Sequence, residues 1–439
     1  MISAFAILFG AGLISPLLYR NSLLKPLAII VALFATLFGL FSEPWILSGF
    51  ATNEAVKLFG VVLLVVTVAT LLHIEDDITI TQTLFLSSAS IALIHSNNLI
   101  SFVISFETLS LISIVLVTNF KTEQEAEGAI KIFLAGAVAT ALLLLGVTLY
   151  LIGGGSLDNA IGSNLNNIQT IGLYIVMLAI FYKLTIVPMH NWAVDTYSKV
   201  LPQRASLLSA VAKTAVAIAS FKLFYPMLIE SPHKVILAIA ILAIVTMTLG
   251  NFLALFQKHL SKILAYSSIA HAGYMLLAFA AVASPYASTG ILYMAIAYIF
   301  MQSGVFLALW ILKSKYNIST LEDLKGLYSY SPTLSLIFTI QLFSLSGIPL
   351  LAGFMGKVVV FYAGVDAGLW IFVLIALLNS ALSVGYYAWI VKHIYFDKAS
   401  KEQNIILNRA YIVGQIILLI GTIYYGIFAS EIFKVGVVL

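Results

Sequence analysis

The chain has 439 residues, of which 62% are hydrophobic and only 9% are charged, and its formal net charge is +4. A soluble domain carries about 25% charged residues, so this composition excludes a soluble globular protein and indicates a polytopic membrane protein. The sequence has no cysteine, which excludes disulfides, iron–sulfur clusters and thiolate-bound zinc on this chain.

The apolar residues group into runs long enough to cross a bilayer, which takes about 20 residues of α-helix. We number about fourteen predicted spans in chain order, at residues 3–19, 26–43, 55–73, 80–97, 99–118, 129–152, 168–189, 201–228, 234–256, 260–283, 287–312, 333–363, 367–391 and 405–432. The first run has no preceding basic region and no small-residue cleavage site, so we interpret it as a retained helix rather than a signal peptide. The pattern predicts an all-α polytopic membrane fold.

The connections between spans predict the orientation of the chain. Of the 22 Lys and Arg residues, about 14 fall in the odd-numbered connections, which follow spans 1, 3, 5 and so on. About 3 fall in the even-numbered connections and the C-terminal end, and about 5 lie within spans. The positive-inside rule then places the odd connections in the cytoplasm and both termini on the non-cytoplasmic side.

Span 7 combines a charge with a helix break. The segment Ile180–Trp192 carries Lys183 inside an apolar run, followed by Pro188 and His190. A lysine at the centre of a membrane helix costs about 2.5–3.5 kcal/mol on insertion scales. Proline removes a backbone donor and clashes with the preceding turn, so we expect the helix to break near Pro188. Backbone groups freed at this depth need protein or water partners, which predicts a hydrated cavity inside the bundle.

Span 12 shows the same combination later in the chain. Gly347 and Pro349 interrupt the run, and Lys357 follows them, whereas Lys183 precedes its proline. Interrupted helices at corresponding positions of two halves indicate inverted repeats, here five-helix units of spans 4–8 and 9–13. The predicted division of the chain is N-terminal helices at 1–79, a first repeat at 80–230, an inverted second repeat at 231–395 and a C-terminal helix at 396–439.

Ionisable side chains lie in several spans. They are Glu107 in span 5, Lys131 in span 6, Lys183 in span 7, Lys213 in span 8, His271 in span 10 and Lys357 in span 12, with His190 just past the first break. At about 3 kcal/mol each, the set would be too costly if charged and exposed to lipid, so these side chains should face one another or water. Desolvation weakens the proton affinity of an amine and a nearby carboxylate restores it, so the set is suited to carrying protons. The alternative is a set of static buried ion pairs or helix-end residues.

The segments that hold these residues are distinctive beyond their charges. They are Ser105–Leu111, Glu127–Lys131, Lys183–Trp192, Gly250–Leu255 with Lys262–Tyr274, and Gly347–Lys357. Together they resemble the proton-translocating, antiporter-like subunits of respiratory complex I, the NADH–quinone oxidoreductase. Within that family the sequence is most similar to the subunit N (subunit 2) branch, because a lysine at 357 replaces the glutamate expected in the neighbouring branch.

The resemblance implies roles for individual residues. Glu107 would be the modulating carboxylate, Lys183 the proton input, Lys213 the central carrier and Lys357 the outlet. Three secondary candidates for the proton pathway are Lys131, His190 and His271. The resemblance also implies fourteen helices and an inverted repeat.

The resemblance further implies the setting in which the chain works. The chain would be a subunit of a proton-pumping translocase with no redox centre of its own, because NADH, FMN, iron–sulfur and quinone sites are expected on partner subunits. The expected partners are other membrane-arm subunits, including antiporter-like paralogues, and the lipid bilayer, with no nucleic acid. The expected location is an energy-transducing membrane, namely the cytoplasmic membrane of a bacterium or an archaeon.

The sequence departs from the family pattern after Trp192. The usual Thr-Pro-Asp and Gly-Ala-Pro segments are replaced by Ala193–Tyr197 and Ser198–Pro202, which indicates a divergent branch and leaves the electron donor open. The alternatives are a subunit of a multi-subunit Na⁺/H⁺ antiporter, a subunit of a ferredoxin- or hydrogenase-linked complex, and a non-pumping membrane scaffold. The intramembrane charges argue against a scaffold, and Lys357 with the Ser267–His271 segment favours the complex I type.

Overall fold

The computed structural model describes residues 2–43, 46–47, 49–118, 123–158, 161–162, 165–399 and 407–436. Within them the chain is helical, apart from a hairpin of β1 (Ile46–Leu47) and β2 (Phe50–Ala51). The helices are α1 Ile2–Ile14, α2 Leu24–Phe41, α3 Glu54–Leu71, α4 Asp77–His95, α5 Leu99–Thr118, α6 Glu123–Ile152, α7 Asn167–Lys183, α8 Asn191–Lys199, α9 Pro202–Ser206, α10 Lys213–Ile229, α11 His233–Leu255, α12 Leu260–Ala280, α13 Ala287–Tyr316, α14 Leu327–Tyr330, α15 Pro332–Ser346, α16 Ala352–Asp366, α17 Trp370–Tyr395, α18 Arg409–Ile427 and α19 Ser430–Val435.

Length and composition make many of these helices able to cross a membrane. Among the described residues, 11 helical segments are long and apolar enough to do so. Three shorter apolar helices lie at Ser3–Leu18, Asn167–Lys183 and Pro332–Ser346. The all-helical membrane class predicted from composition is therefore confirmed.

Helix α13 lies at the centre of the bundle. It packs against α3, α10, α12, α15, α16 and α18, and its residues Ala287–Leu312 are buried on all sides. A helix that is apolar all round is stable only when it is surrounded, which explains this position. Helices α2, α6 and α17 are peripheral and present large apolar side chains outward, as a lipid-facing surface requires.

The connections predicted to be odd-numbered gather at one end of the bundle, which we call the odd-connection face. Lys315 forms an ion pair with Glu75 at 2.8 Å, and the Arg204 guanidinium lies 3.9 Å from Asp76. A backbone bridge joins His259 to the segment before α14. These contacts join the connections after spans 3, 7, 9 and 11, so the basic loops share one side of the protein.

Both predicted helix breaks are confirmed. Helical structure stops between Lys183 and Asn191, and again between Ser346 and Ala352. The first break contains Pro188 and a left-handed Thr185 with φ 65°, and the second begins at the left-handed Gly347 with φ 91°. Interruptions of this kind expose helix-terminal carbonyls and amides inside the bundle, where polar side chains can bind them.

The structure adds an irregularity that the apolar pattern of span 8 does not reveal. A π-helical turn, Leu207–Ala212, separates α9 from α10 and ends directly before Lys213. Such turns are rare and often lie at functional sites, because they shift the direction of the residues that follow.

Candidate functional site

Glu107 and Lys183 lie near each other beside the first break. Glu107 is half-buried on α5, where both carboxylate oxygens accept hydrogen bonds from Thr140 Oγ1 at 2.9 and 3.0 Å. Lys183 is the half-buried last residue of α7. The two described side chains interact electrostatically without a direct ion pair. The carboxylate that interacts electrostatically with Lys183 is therefore oriented by a third residue, Thr140.

Lys213 is bound by oxygens from two other parts of the chain. Only 1% of the residue is exposed. Its Nζ donates to Thr185 Oγ1 at 2.9 Å, to Ser268 Oγ at 2.7 Å and to the Ser268 carbonyl at 3.2 Å. Because Thr185 belongs to the first break, that irregular segment supplies a direct partner to the central lysine. The Tyr197 ring completes the surroundings, with its centroid 5.7 Å from Nζ.

His271 lies between Lys213 and Lys357. It is 2% exposed, it interacts electrostatically with both lysines, and its ring lies against Tyr298 at a centroid distance of 5.3 Å. The Tyr298 hydroxyl donates to Ser268 Oγ at 2.8 Å, which joins it to the partner of Lys213. The imidazole of His271 therefore lies where it can pass a proton between the amines of Lys213 and Lys357.

Lys357 is held at the second break by the end of another helix. Its Nζ donates to the carbonyls of Leu345 and Ser346, both at 2.9 Å, and to Ser380 Oγ at 3.0 Å. These carbonyls are unsatisfied within α15 because the helix stops at Gly347, and the negative end of the helix dipole favours a cation there. A Cβ on Gly347 would lie 3.2 Å from Lys357 Cδ, so glycine leaves room for the amine.

The structure therefore brings Lys213, His271 and Lys357 into one line between the two helix breaks. Lys183 is connected to this line through the chain, because Thr185, two residues after it, contacts Lys213. Amines and an imidazole can bind and release protons, and hydroxyls can both donate and accept hydrogen bonds, so the arrangement can pass protons. Sequence reasoning did not single out the hydroxyl partners, which are Thr185, Ser268, Tyr298 and Ser380. The only pattern in the sequence that could indicate these partners is a hydroxyl residue within an apolar run, and many other serines and threonines have the same pattern.

Lys131 belongs to a separate ion-pair network, and His190 lies within the first break. Lys131 pairs with Glu127 at 2.6 Å and Asp195 at 2.7 Å, and Lys199 contacts the same two carboxylates. This network is partly exposed at the ends of α6 and α8, which favours the static ion-pair alternative for Lys131. His190 is 8% exposed, and no described residue hydrogen-bonds its Nδ1.

Among the described residues, no group of three or more His, Cys, Asp or Glu side chains is placed to hold a metal ion.

Comparison with curated proteins gives named relatives of similar length. F(420)H(2) dehydrogenase subunit N of Methanosarcina mazei is 33% identical over 416 residues, covering 90% of this chain and 84% of the relative. NAD(P)H-quinone oxidoreductase subunit 2 of Synechococcus elongatus is 33% identical over 420 residues, covering 89% and 80%. NADH-quinone oxidoreductase subunit N of Trichlorobacter lovleyi is 33% identical over 333 residues, covering 73% and 67%.

Solved structures share the fold at lower identity. A chain of respiratory complex I from Thermus thermophilus matches with a TM-score of 0.87 at 24% identity, covering 98% of both chains. A chain of an archaeal membrane-bound sulfane sulfur reductase matches with a TM-score of 0.91 at 20% identity, and the match covers 99% of this chain and 95% of that chain. A chain of the Mrp complex from a Dietzia species matches with a TM-score of 0.87 at 16% identity, and the match covers 100% of this chain and 97% of that chain.

The family model described as NADH:quinone oxidoreductase/Mrp antiporter, TM matches residues 96–383. This chain belongs to that family, so it is a multi-pass, antiporter-like membrane subunit of a complex with other subunits. The matched range includes both helix breaks and every residue of the line from Lys183 to Lys357.

Proposed function

We propose that the chain is a proton-translocating membrane subunit of a complex I-type oxidoreductase, in which electron transfer to quinone occurs on other subunits. The observation that carries this proposal is the buried polar line between the two helix breaks. It holds Lys213 and Lys357, which are 1% and 3% exposed. Neither amine has a carboxylate partner among the described residues, so each is free to release its proton without leaving an unpaired buried anion.

We assign the roles by position along this line. Glu107 modulates Lys183, which takes up the proton, and Thr185 joins the first break to Lys213. Lys213 passes the proton toward His271, and Lys357 is the outlet station. The proposal leaves Lys131 and His190 outside this route.

The proposal includes the finer architecture. Eleven long spans and three shorter apolar helices are compatible with fourteen crossings, in which α7 with α8 and α15 with α16 each form an interrupted span. The repeats are spans 4–8 and 9–13, within the divisions 1–79, 80–230, 231–395 and 396–439. Both termini lie on the non-cytoplasmic side, in an energy-transducing membrane, because the basic odd-connection face is cytoplasmic.

The cofactors and the electron donor belong to the partner subunits in this proposal. The relatives are named for different donors, F(420)H(2) in one case and NAD(P)H in another. A chain without its own redox site can serve either kind of complex, so the donor is set by the soluble partner. A subunit of a Na⁺/H⁺ antiporter is the second candidate, supported by the fold shared with the Mrp complex.

The test is proton translocation per electron by the assembled complex in vesicles. We expect Lys183→Ala and Glu107→Ala to lower pumping far more than they lower assembly. Lys183→Arg should also be impaired, because arginine keeps its proton at accessible pH. Unchanged pumping by a fully assembled Lys183→Ala complex would remove Lys183 from the pathway, and sodium-dependent transport without quinone reduction would favour the antiporter.

A further inference from the structure

A cavity with a volume of about 890 Å³, lined by both charged and apolar side chains, opens at the odd-connection face. It lies between the ends of α11 and α17, the start of α12 and the segment before α14. Its lining is rich in titratable groups: Lys258, His259, Glu322, Lys325, Lys392, His393, Asp397 and Lys398. A cavity of this size that is open to the surface and has charged groups in its lining admits water.

One face of α17 leads from the mouth of the cavity to its floor. His393 Nδ1 lies 3.1 Å from Asp397 Oδ2 near the mouth, and both residues line the cavity. Two turns deeper on the same face, Tyr386 also lines the cavity although it is only 4% exposed. The end of α17 therefore places the His393–Asp397 pair about two turns from a buried hydroxyl.

Behind the floor of the cavity lies a group of buried tyrosines, Tyr274, Tyr386 and Tyr387, which we call the tyrosine cluster. The Tyr386 hydroxyl donates to Asn251 Oδ1 at 3.1 Å, and Asn251 Nδ2 donates to the Tyr274 hydroxyl at 3.4 Å. The rings of Tyr386 and Tyr387 are 4.3 Å apart, and their hydroxyls also interact. An amide is a poor proton carrier, so Asn251 positions the hydroxyls, and the hydroxyls themselves can relay protons.

The far side of the tyrosine cluster reaches Lys357. The Tyr274 ring centroid lies 5.0 Å from Lys357 Nζ. Ser380 bridges the same two residues, because its hydroxyl accepts from Lys357 Nζ at 3.0 Å and interacts with the Tyr274 hydroxyl. Hydroxyl groups thus lie between the odd-connection face and the second break, where Tyr387 interacts with Tyr386 on one side and electrostatically with Tyr274 on the other.

Toward the opposite face, the neighbours of Lys357 on α16 are apolar. Gly356 packs closely against Met294, and Val360 packs against Gly290. The Phe361 ring lies 6.0 Å from that of Tyr274. The polar contacts of Lys357 therefore lead toward the odd-connection face, whereas its neighbours one turn further along α16 are apolar.

We propose that this cavity is a second proton port, and that the tyrosine cluster conducts protons between it and Lys357. The inference rests on the proposed function, because Lys357 must be a proton carrier. In each transfer, a proton from water in the cavity binds the Tyr386 hydroxyl oxygen as that group releases its own proton to the Tyr387 hydroxyl. Tyr387, which interacts electrostatically with Tyr274, releases its proton in turn to the Tyr274 hydroxyl. The relay continues through Tyr274 and Ser380, and the last proton binds the neutral amine of Lys357. One proton enters and none is lost, and no redox change is involved.

The proposal is tested in vesicles that contain the complete complex. Tyr386→Phe removes the hydroxyl at the floor of the cavity, and Tyr274→Phe removes the inner one. Tyr293→Phe is the matched control, since Tyr293 is an equally buried tyrosine whose hydroxyl donates to the Tyr425 carbonyl on another side of α13. The measurements are assembly, pumping rate, and the ratio of turnover in H₂O to that in D₂O.

We expect Tyr386→Phe and Tyr274→Phe to slow pumping roughly tenfold, since each loses one hydrogen-bonded link. Their solvent isotope effect should rise, because proton supply becomes rate-limiting, and a purely structural defect would not change it. The control should match the unaltered complex. Normal pumping with an unchanged isotope effect in both variants would overturn the second port.

A Lys357→Ala complex separates failure of the port from failure of the proposed function. If Lys357→Ala abolishes pumping and the tyrosine variants do not change it, only the port is wrong. If Lys357→Ala itself pumps normally, the proposed role of Lys357 fails and the port fails with it. If a tyrosine variant assembles poorly, Ser380→Ala tests the same relay. It removes the last hydroxyl of the relay and should raise the solvent isotope effect in the same way.

Discussion

The two interrupted helices hold their lysines in opposite ways. At the first break, Lys183 ends α7, remains half-buried and is balanced by the charge of Glu107 on a neighbouring helix. At the second break, Lys357 is 3% exposed and is balanced by two carbonyls at the C-terminal end of α15. One lysine has an ionisable partner, and the other has a partner that cannot ionise.

This difference makes the proton affinity of Lys183 adjustable and that of Lys357 fixed. A carboxylate can be protonated or turned away, so the proton affinity of Lys183 can respond to events at Glu107. Backbone carbonyls at a helix end keep their dipole as long as the helix is folded, so Lys357 depends on the backbone of the second break. We therefore expect changes at the second break to affect folding and pumping together, and changes at the first to affect pumping alone.

The largest expected effect is a loss of assembly by Gly353→Ala. A Cβ at Gly353 would lie 1.9 Å from the Ser344 carbonyl oxygen, which forces the second break apart. Overpacking of this kind costs about 1–3 kcal/mol or more. Native electrophoresis should show little complete complex. Gly10→Ala, where nothing lies within 4 Å of the new Cβ, is the control. Normal assembly of Gly353→Ala would show that the second break is not rigid.

The next largest effect is the difference in thermal stability between variants that lack the Lys357 amine and variants that lack the Lys183 amine. Lys357→Met leaves the Leu345 and Ser346 carbonyls without their buried donor, and each unsatisfied group costs about 1–3 kcal/mol. Lys183→Met removes no direct hydrogen bond between described residues. The thermal midpoint of the assembled complex should fall for the former and stay near that of the unaltered protein for the latter. Equal shifts would contradict the distinction between the two sites.

A smaller effect is expected from neutralising the partner of Lys183. Glu107→Gln keeps an oxygen for the Thr140 hydroxyl but removes the charge that favours a protonated amine. A change of one pKa unit corresponds to a factor of about ten in proton occupancy, so we expect a pumping loss of roughly this size. Glu107→Asp, which keeps the charge, should pump better than Glu107→Gln. The idea fails if the two variants behave alike.

The smallest effect concerns single hydroxyls beside the inner lysines. Thr185→Val removes one of the three acceptors of Lys213, and Ser380→Ala removes one of the three acceptors of Lys357. Each should cost about 0.5–1.5 kcal/mol of stability. We expect Thr185→Val to lower pumping more than it lowers the thermal midpoint, because Thr185 joins the first break to Lys213. A stability loss without a pumping loss would limit Thr185 to a structural role.

Much of the site could be predicted from local signals. A lysine inside an apolar run and a proline or glycine two turns away are properties of a short segment, so both helix breaks and their lysines were correctly located. The partners of those lysines could not be predicted in this way. Ser268 is one of many hydroxyl residues in apolar runs. Lys131 lies in an apolar run of the sequence, and only the fold brings Asp195 beside it.

The sequence by itself determined that this protein is a helical membrane protein with two interrupted helices and a set of costly internal charges. These features follow from hydrophobicity and backbone stereochemistry, which act over one or two helical turns. Only the tertiary structure decided which oxygens hold Lys213 and Lys357, that Lys131 belongs to a surface ion-pair network, and that the tyrosine cluster meets the second break. Those contacts join helices far apart in the chain, and in an apolar bundle the rotation of each helix, set by packing against all its neighbours, determines which polar groups meet.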